Sequence, residues 1–216
     1  MDEEAIKQVT IQRKWPKTKV SNLIFQGIIG NGLVAIEGDT WKNHRTIIMP
    51  SFSQMNIKSM TDEIVKVTME KLDSFEKNNK KMIFEEFTEN VSTITLAVIA
   101  AVGFGGDIDG IDELTEDFVN LVEDYFPVML GLIFFGKWFT KLPFPHHNKY
   151  YKTKENLERK VIKIIEKKKK EFQNTGSIGR DLLSMMIDAQ DEEGKNFTNS
   201  ELFDESLTFL FAGHDT

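Results

Sequence analysis

The sequence has 216 residues, 40% of them hydrophobic and 28% charged, which is the composition of a globular chain long enough to bury a sizeable core and excludes a disordered one. A net charge of −7 argues against nucleic acid as the main partner and points to an acidic surface. Cysteine is absent, which excludes disulfides and any thiolate ligand from these residues.

The first residues, MDEEAIKQVTIQRKWPK, are charged and lack the apolar core of a signal peptide. No run of about 18 or more apolar residues occurs, so no membrane-crossing helix is expected. Residues 21–38, SNLIFQGIIGNGLVAIEG, carry four glycines and read as loop with short apolar pieces. A helix is expected from Asp39, with Asp39 as its N-cap and Pro50 as its stop. Next comes NIKSMTDEIVKVTMEKLDSFEK, with Ile57, Met60, Ile64, Val67 and Phe75 near a 3.6-residue period. IFEEFTENVSTITLAVIAAV reads as a more buried helix ending at Gly103. ELTEDFVNLVEDYF is amphipathic and is expected to stop at Pro127. YYKTKENLERKVIKIIEKKKKEFQN predicts a long charged helix, and RDLLSMMIDAQDEEG another that ends at Gly194. The last helix starts at Thr198-Asn199-Ser200-Glu201, the spacing of a capping box. With no convincing strand and no clean linker, the reading is all-α, residues 1–216 forming a single domain.

Several stretches invite chemistry. Trp41 and Arg45 lie four apart on one helix face, and both side chains are donors only. Aimed together they would grip an anionic oxygen such as a ligand carboxylate; the alternative is an arginine stacked on a surface tryptophan. FGGDIDGIDE (104–113) fails the calcium-loop pattern, with Ile111 where a ligand is needed and Asp112 where the turn glycine is needed, so an exposed loop is expected. EKKKKEF (166–172) interleaves lysine with glutamate and reads as a solvated helix face. His146 and His147 follow Pro145 and read as solvated loop residues without metal-ligand spacing. Residues 126–139, FPVMLGLIFFGKWF, contain ten apolar side chains. Pro127, Gly131 and Gly136 argue against one long helix there, and the stretch needs a cover of protein, ligand or lipid, with core packing ranked ahead of membrane contact.

The chain ends FLFAGHDT. LTFLFAG is apolar on every side, so its helix should be central. Gly213 is either a C-cap followed by a frayed end, or a helix-interior glycine that lets something approach closely. In the second case Asp215 and Thr216 place a carboxylate and a hydroxyl in a mostly apolar site, a pairing suited to delivering protons to a bound small molecule.

Taken in order, GLVAIEGDTWKNHRTIIMPSF (Gly-Leu, then Gly-x-x-Trp-x-x-x-Arg, then Pro-x-Phe) resembles the C-helix region of the cytochrome P450 family. FLFAGHDT resembles the family's I-helix motif, Ala/Gly-Gly-x-Asp/Glu-Thr. LAVIAAVGFG is similar to the end of its E helix, and RDLLSMMIDAQDEEG to the segment leading into the I helix. The resemblance runs from about Gly32 to Thr216 and implies a partial fold, roughly helices B/C through the first half of I, of a haem-dependent monooxygenase that activates O2 to oxidise a small apolar substrate. It implies that Trp41 and Arg45 hold a haem propionate, that Ala212 and Gly213 line the groove over the distal face, and that Asp215 and Thr216 are the acid and alcohol that relay protons during oxygen activation. It also implies an electron-donating reductase, and membrane-surface contact near 126–139, where the family has its F–G connection. Eukaryotic members work inside the cell on the endoplasmic reticulum membrane; the anchor and proline-rich hinge that such members carry are not found in this sequence.

The departures set a second expectation. The family's axial cysteine thiolate, its Glu-x-x-Arg pair and its cysteine-containing haem loop are not among these residues. The chain therefore reads as the front half of a haem-thiolate monooxygenase, a single incomplete domain expected to be inactive alone. The alternative is a non-catalytic helical remnant without haem chemistry, which would expose apolar surface and tend toward a molten state.

Overall fold

The computed structural model describes residues 3–10, 16–77, 84–106, 110–176 and 179–215, with only the backbone described at 9–10, 84–89 and 215. The described residues form ten α-helices and two short 3₁₀ turns, and no strand is present among them beyond one isolated bridge, Gln190 to Asn196. The all-α expectation is met. Residues 107–109, at the centre of the rejected calcium loop, and Thr216 lie outside the described residues.

After α1 (Glu3–Thr10), the glycine-rich stretch read as loop is in large part a helix, α2 (Lys19–Ile29). The Thr18 hydroxyl caps it by accepting the Ser21 N–H, and Gly30, at φ +59°, ends it. Three of its four glycines fall at or beyond that end, where they cost the helix nothing. α3 (Gly38–Ile48) starts earlier than its sequence suggests. Asp39 sits in its first turn rather than at the cap, and the Glu37 carboxylate at the cap is turned away to accept the Lys17 N–H and the Asn22 amide. Pro50 does end the α-helix, through a 3₁₀ turn at Met49–Phe52.

α4 (Gln54–Ser59) and α5 (Thr61–Lys77) lead to α6 (Phe84–Phe104), which is buried through Leu96, Ala97, Ala100 and Ala101. α7 (Ile111–Phe135) does not stop at Pro127. Proline inside a helix removes one backbone bond and costs about 3 kcal/mol, but burying Val128 and Leu132 beyond it returns about 1.5–3 kcal/mol each, so the helix continues. Leu114, Phe118, Leu121, Tyr125, Val128 and Leu132 recur every three or four residues and form its inner stripe. Gly131 on this helix leaves the room in which the Phe139 ring lies, so the chain folds back as a 3₁₀ turn at Lys137–Lys141.

α8 (Pro145–Thr175) runs against α7 and buries Tyr150, Leu157, Val161 and Ile165. His147 is buried in its first turn, with Nδ1 2.7 Å from the Leu142 carbonyl, rather than solvated in a loop. The lysine run on this helix is only partly a solvated face: Lys168 turns inward to pair with Asp181 at 2.7 Å. α9 (Leu182–Asp188) ends before a turn, short of Gly194. α10 (Asn199–Asp215) contacts α2, α6, α8 and α9, and its Leu202, Leu207 and Leu210 are fully buried. Its start is a capping box, the Thr198 hydroxyl accepting the Glu201 N–H and the Glu201 carboxylate accepting the Thr198 N–H.

Candidate functional site

Two helices carry the candidate residues. Trp41 and Arg45 on α3, and Met49 at its C-cap, recur every four residues and share one face. The Arg45 guanidinium lies over the Trp41 ring at 5.5 Å, and among the described residues no carboxylate stands within ion-pairing distance of it. The arginine is therefore stacked on the tryptophan. It also leaves an exposed cation beside an indole N–H, since stacking occupies the planar face of the guanidinium and not its in-plane donors.

The face continues toward α10. Met49 is 61% exposed, and Phe52, also exposed, lies with its ring 5.5 Å from that of Phe209 on α10. Ala212, one turn beyond Phe209, faces outward. A strip thus runs from two donors at one end, over exposed methionine and phenylalanine, to the last turn of α10. It suits a flat apolar molecule with a carboxylate at its edge.

The close approach at Gly213 comes from inside the protein. α10 continues through it, and a Cβ there would stand 2.4 Å from Ile99 Cγ2 and 2.5 Å from Ile99 Cβ on α6. Gly213 thus sits at the crossing of α6 and α10. His214, for which no role is expected, places its ring 6.3 Å from that of Phe118. The backbone of Asp215 closes α10, while its side chain and the whole of Thr216 lie outside the described residues.

Neither the motifs nor the apolar pattern marked the residues that join the two helices. His44, between Trp41 and Arg45 in the chain, is buried, with Nδ1 2.8 Å from Glu205 Oε1 and Nε2 3.6 Å from Glu201 Oε1. Burial pushes the Glu201 carboxyl up, but the Thr198 N–H and hydroxyl and the His44 ring outweigh it and hold it below the usual range. At Asp204, whose carboxylate accepts the Asn31 N–H at 2.9 Å, burial wins and the carboxyl is raised. One signal was available in the sequence: Glu205 stands three residues after Leu202 and four before Phe209, on the same helix face as both, where a carboxylate needs a buried partner.

The stretch at 126–139 serves two surfaces. Val128, Gly131 and Leu132 face the core, whereas Phe126, Leu130, Ile133, Phe134, Phe135 and Trp138 are exposed, Phe134 to 75% and Trp138 to 57%. α7 is also long and apolar enough to cross a membrane by length and composition, contrary to the sequence expectation; its inner stripe is instead occupied by packing. Among the described residues no group of three or more histidine, aspartate or glutamate side chains could hold a metal ion.

Comparison with known proteins bears on the family and the fold. The sequence model of the family described as Cytochrome P450 matches residues 1–216. Cytochrome P450 monooxygenase 124 of Postia placenta is 28% identical over 229 residues, covering 100% of this chain and 43% of the relative. Cytochrome P450 709B1 of Arabidopsis thaliana is 30% identical over 194 residues, covering 86% of this chain and 36% of the relative. The structure described as the cytochrome P450DA heme domain superposes with a TM-score of 0.76 at 20% identity, over 100% of this chain and 46% of that one, a likeness of fold. The chain spans less than half the length of each, so its described helices form part of that fold. With the family's sequence model matched from residue 1 to residue 216, the chain belongs to the cytochrome P450 family.

Proposed function

We propose that this chain supplies the carboxylate-holding and distal-face half of a haem-dependent monooxygenase that oxidises a small apolar substrate with O2. The observation that carries the reading is the Arg45 cation, stacked on Trp41 with no carboxylate partner among the described residues and standing at the polar end of an apolar strip. Haem is the cofactor that the family implies, and when bound it supplies redox-active iron for oxygen activation. The residues present fit its edge and one face: Trp41 and Arg45 would hold a propionate, and Met49 and Phe52 offer apolar surface beside them. They do not supply the thiolate ligand, because no cysteine occurs among the 216 residues, so that ligand comes from outside them.

Within this chain, Trp41 and Arg45 bind and orient. Ala212 and Gly213 form the wall of the distal groove, with Gly213 keeping α10 tight against α6. Asp215 and Thr216, matched to the family's motif by sequence, would hold and pass protons. An electron-donating reductase and O2 are the further partners. The exposed aromatic side of 126–139 would cover the route of an apolar substrate and rest on a membrane surface, a reading supported by its exposed apolar side chains and consistent with an intracellular protein at such a membrane.

Titration of the purified chain with haemin tests the reading. Arg45→Ala and Trp41→Ala should each weaken binding about tenfold, the worth of one charge-assisted hydrogen bond at the low end of its range. Unchanged affinity in both variants would overturn the clamp and favour a helical module without haem chemistry. A thiolate-type carbon-monoxide difference spectrum from these 216 residues alone would overturn the assignment of the ligand to sequence outside them.

A further inference from the structure

The direction in which Trp41 and Arg45 point is set by how α3 is rotated about its own axis. The pair itself does not fix that rotation: Arg45 is exposed and touches only the Trp41 ring among the contacts that would hold it. His44, one position away, is gripped from three sides. Its Nδ1 stands 2.8 Å from Glu205 Oε1 on α10, its Nε2 3.6 Å from Glu201 Oε1, and its ring meets the Phe197 ring at 4.8 Å edge-on.

Glu205 is 0% exposed, and its second oxygen accepts the Leu33 N–H at 3.1 Å, so the carboxylate also holds the segment that leads into α3. A buried carboxylate is expensive to leave unpaired, which makes this junction intolerant of any rotation that would break it. Arg45 follows His44 by one residue and Trp41 precedes it by three, so a rotation of α3 that moved one would move all three.

We propose that His44 and Glu205 form a buried clip that locks the rotation of α3 against α10 and thereby aims Trp41 and Arg45 at the ligand carboxylate. Both are positioning residues: neither is expected to touch the ligand. The clip rests on the reading of Trp41 and Arg45 as a carboxylate clamp.

The test compares two porphyrins on the full 216-residue chain: haemin, with free propionates, and haemin dimethyl ester, in which they are blocked. The ratio of their dissociation constants, read from the Soret band, measures the clamp separately from apolar binding. The wild type should favour haemin. His44→Ala and His44→Gln should move the ratio toward one by about tenfold while leaving ester binding within about threefold, because they remove the donor at the Nδ1 position. His44→Asn, whose amide nitrogen reaches that position, should restore the preference. If His44→Ala does not fold, as followed by far-ultraviolet circular dichroism, the Gln and Asn pair carries the comparison. A wild-type preference that survives unchanged in the Gln and Ala variants overturns the clip and leaves the clamp standing. A wild type that shows no preference, or binds neither porphyrin, overturns the clamp and the clip with it.

Discussion

Gly213→Ala separates helix propensity from packing at the crossing of α6 and α10. On propensity alone the change should help, since alanine in a helix interior is favoured over glycine by about 1 kcal/mol. The structure opposes that gain. The new methyl would lie 2.4 Å from Ile99 Cγ2, 2.5 Å from Ile99 Cβ and 2.8 Å from Ile99 Cγ1. A β-branched side chain in a helix has essentially one χ1 well, and its Cβ cannot rotate away, so the two helices must separate. Overpacking of this kind costs about 1–3 kcal/mol. The net effect is a destabilisation of roughly 0–2 kcal/mol, or up to about 8 °C in melting temperature for a domain of this size. Urea unfolding followed by circular dichroism measures it. In an Ile99→Ala background, two of the three contacting atoms are gone, so the penalty of Gly213→Ala should shrink but not vanish, with a coupling of about 1 kcal/mol. If Gly213→Ala stabilises both backgrounds by the same amount, the glycine is not there for the helix crossing.

Two further outcomes are expected. Asp204→Asn should gain on the wild type as pH rises: burial raises the folded-state pKa of Asp204, so the unfolded chain ionises first and the wild type loses stability from about pH 4 upward until the folded carboxyl ionises as well. Melting temperatures taken relative to the wild type across that range, and falling with pH, would contradict the buried environment. Phe134→Glu combined with Trp138→Glu should cut binding to phosphatidylserine-containing vesicles by about tenfold or more, because each full apolar side chain contributes about 1.5–3 kcal/mol when buried, while leaving the melting temperature in place. Vesicle binding equal to that of the wild type in a flotation assay would remove the proposed membrane contact.

Much of the fold was legible because its signals are local. The capping box at Thr198–Glu201, the stop at Pro50, the long charged helix and the apolar helix before Gly213 each depend on neighbours within a turn or two. The pairing of Trp41 with Arg45 was legible for the same reason: side chains four apart on a helix meet. Local rules misread Pro127 and the glycines of 21–38, because the outcome there turned on burial against distant helices.

The sequence by itself therefore determined the helix periods, the absence of a thiolate ligand and the motif residues that mark the family. Only the tertiary structure decided that Gly213 faces Ile99, that His147 and Lys168 turn inward, and that His44 meets Glu205. Those contacts join residues far apart in the chain, and their free energy comes from removing specific groups from water together, which no local pattern encodes.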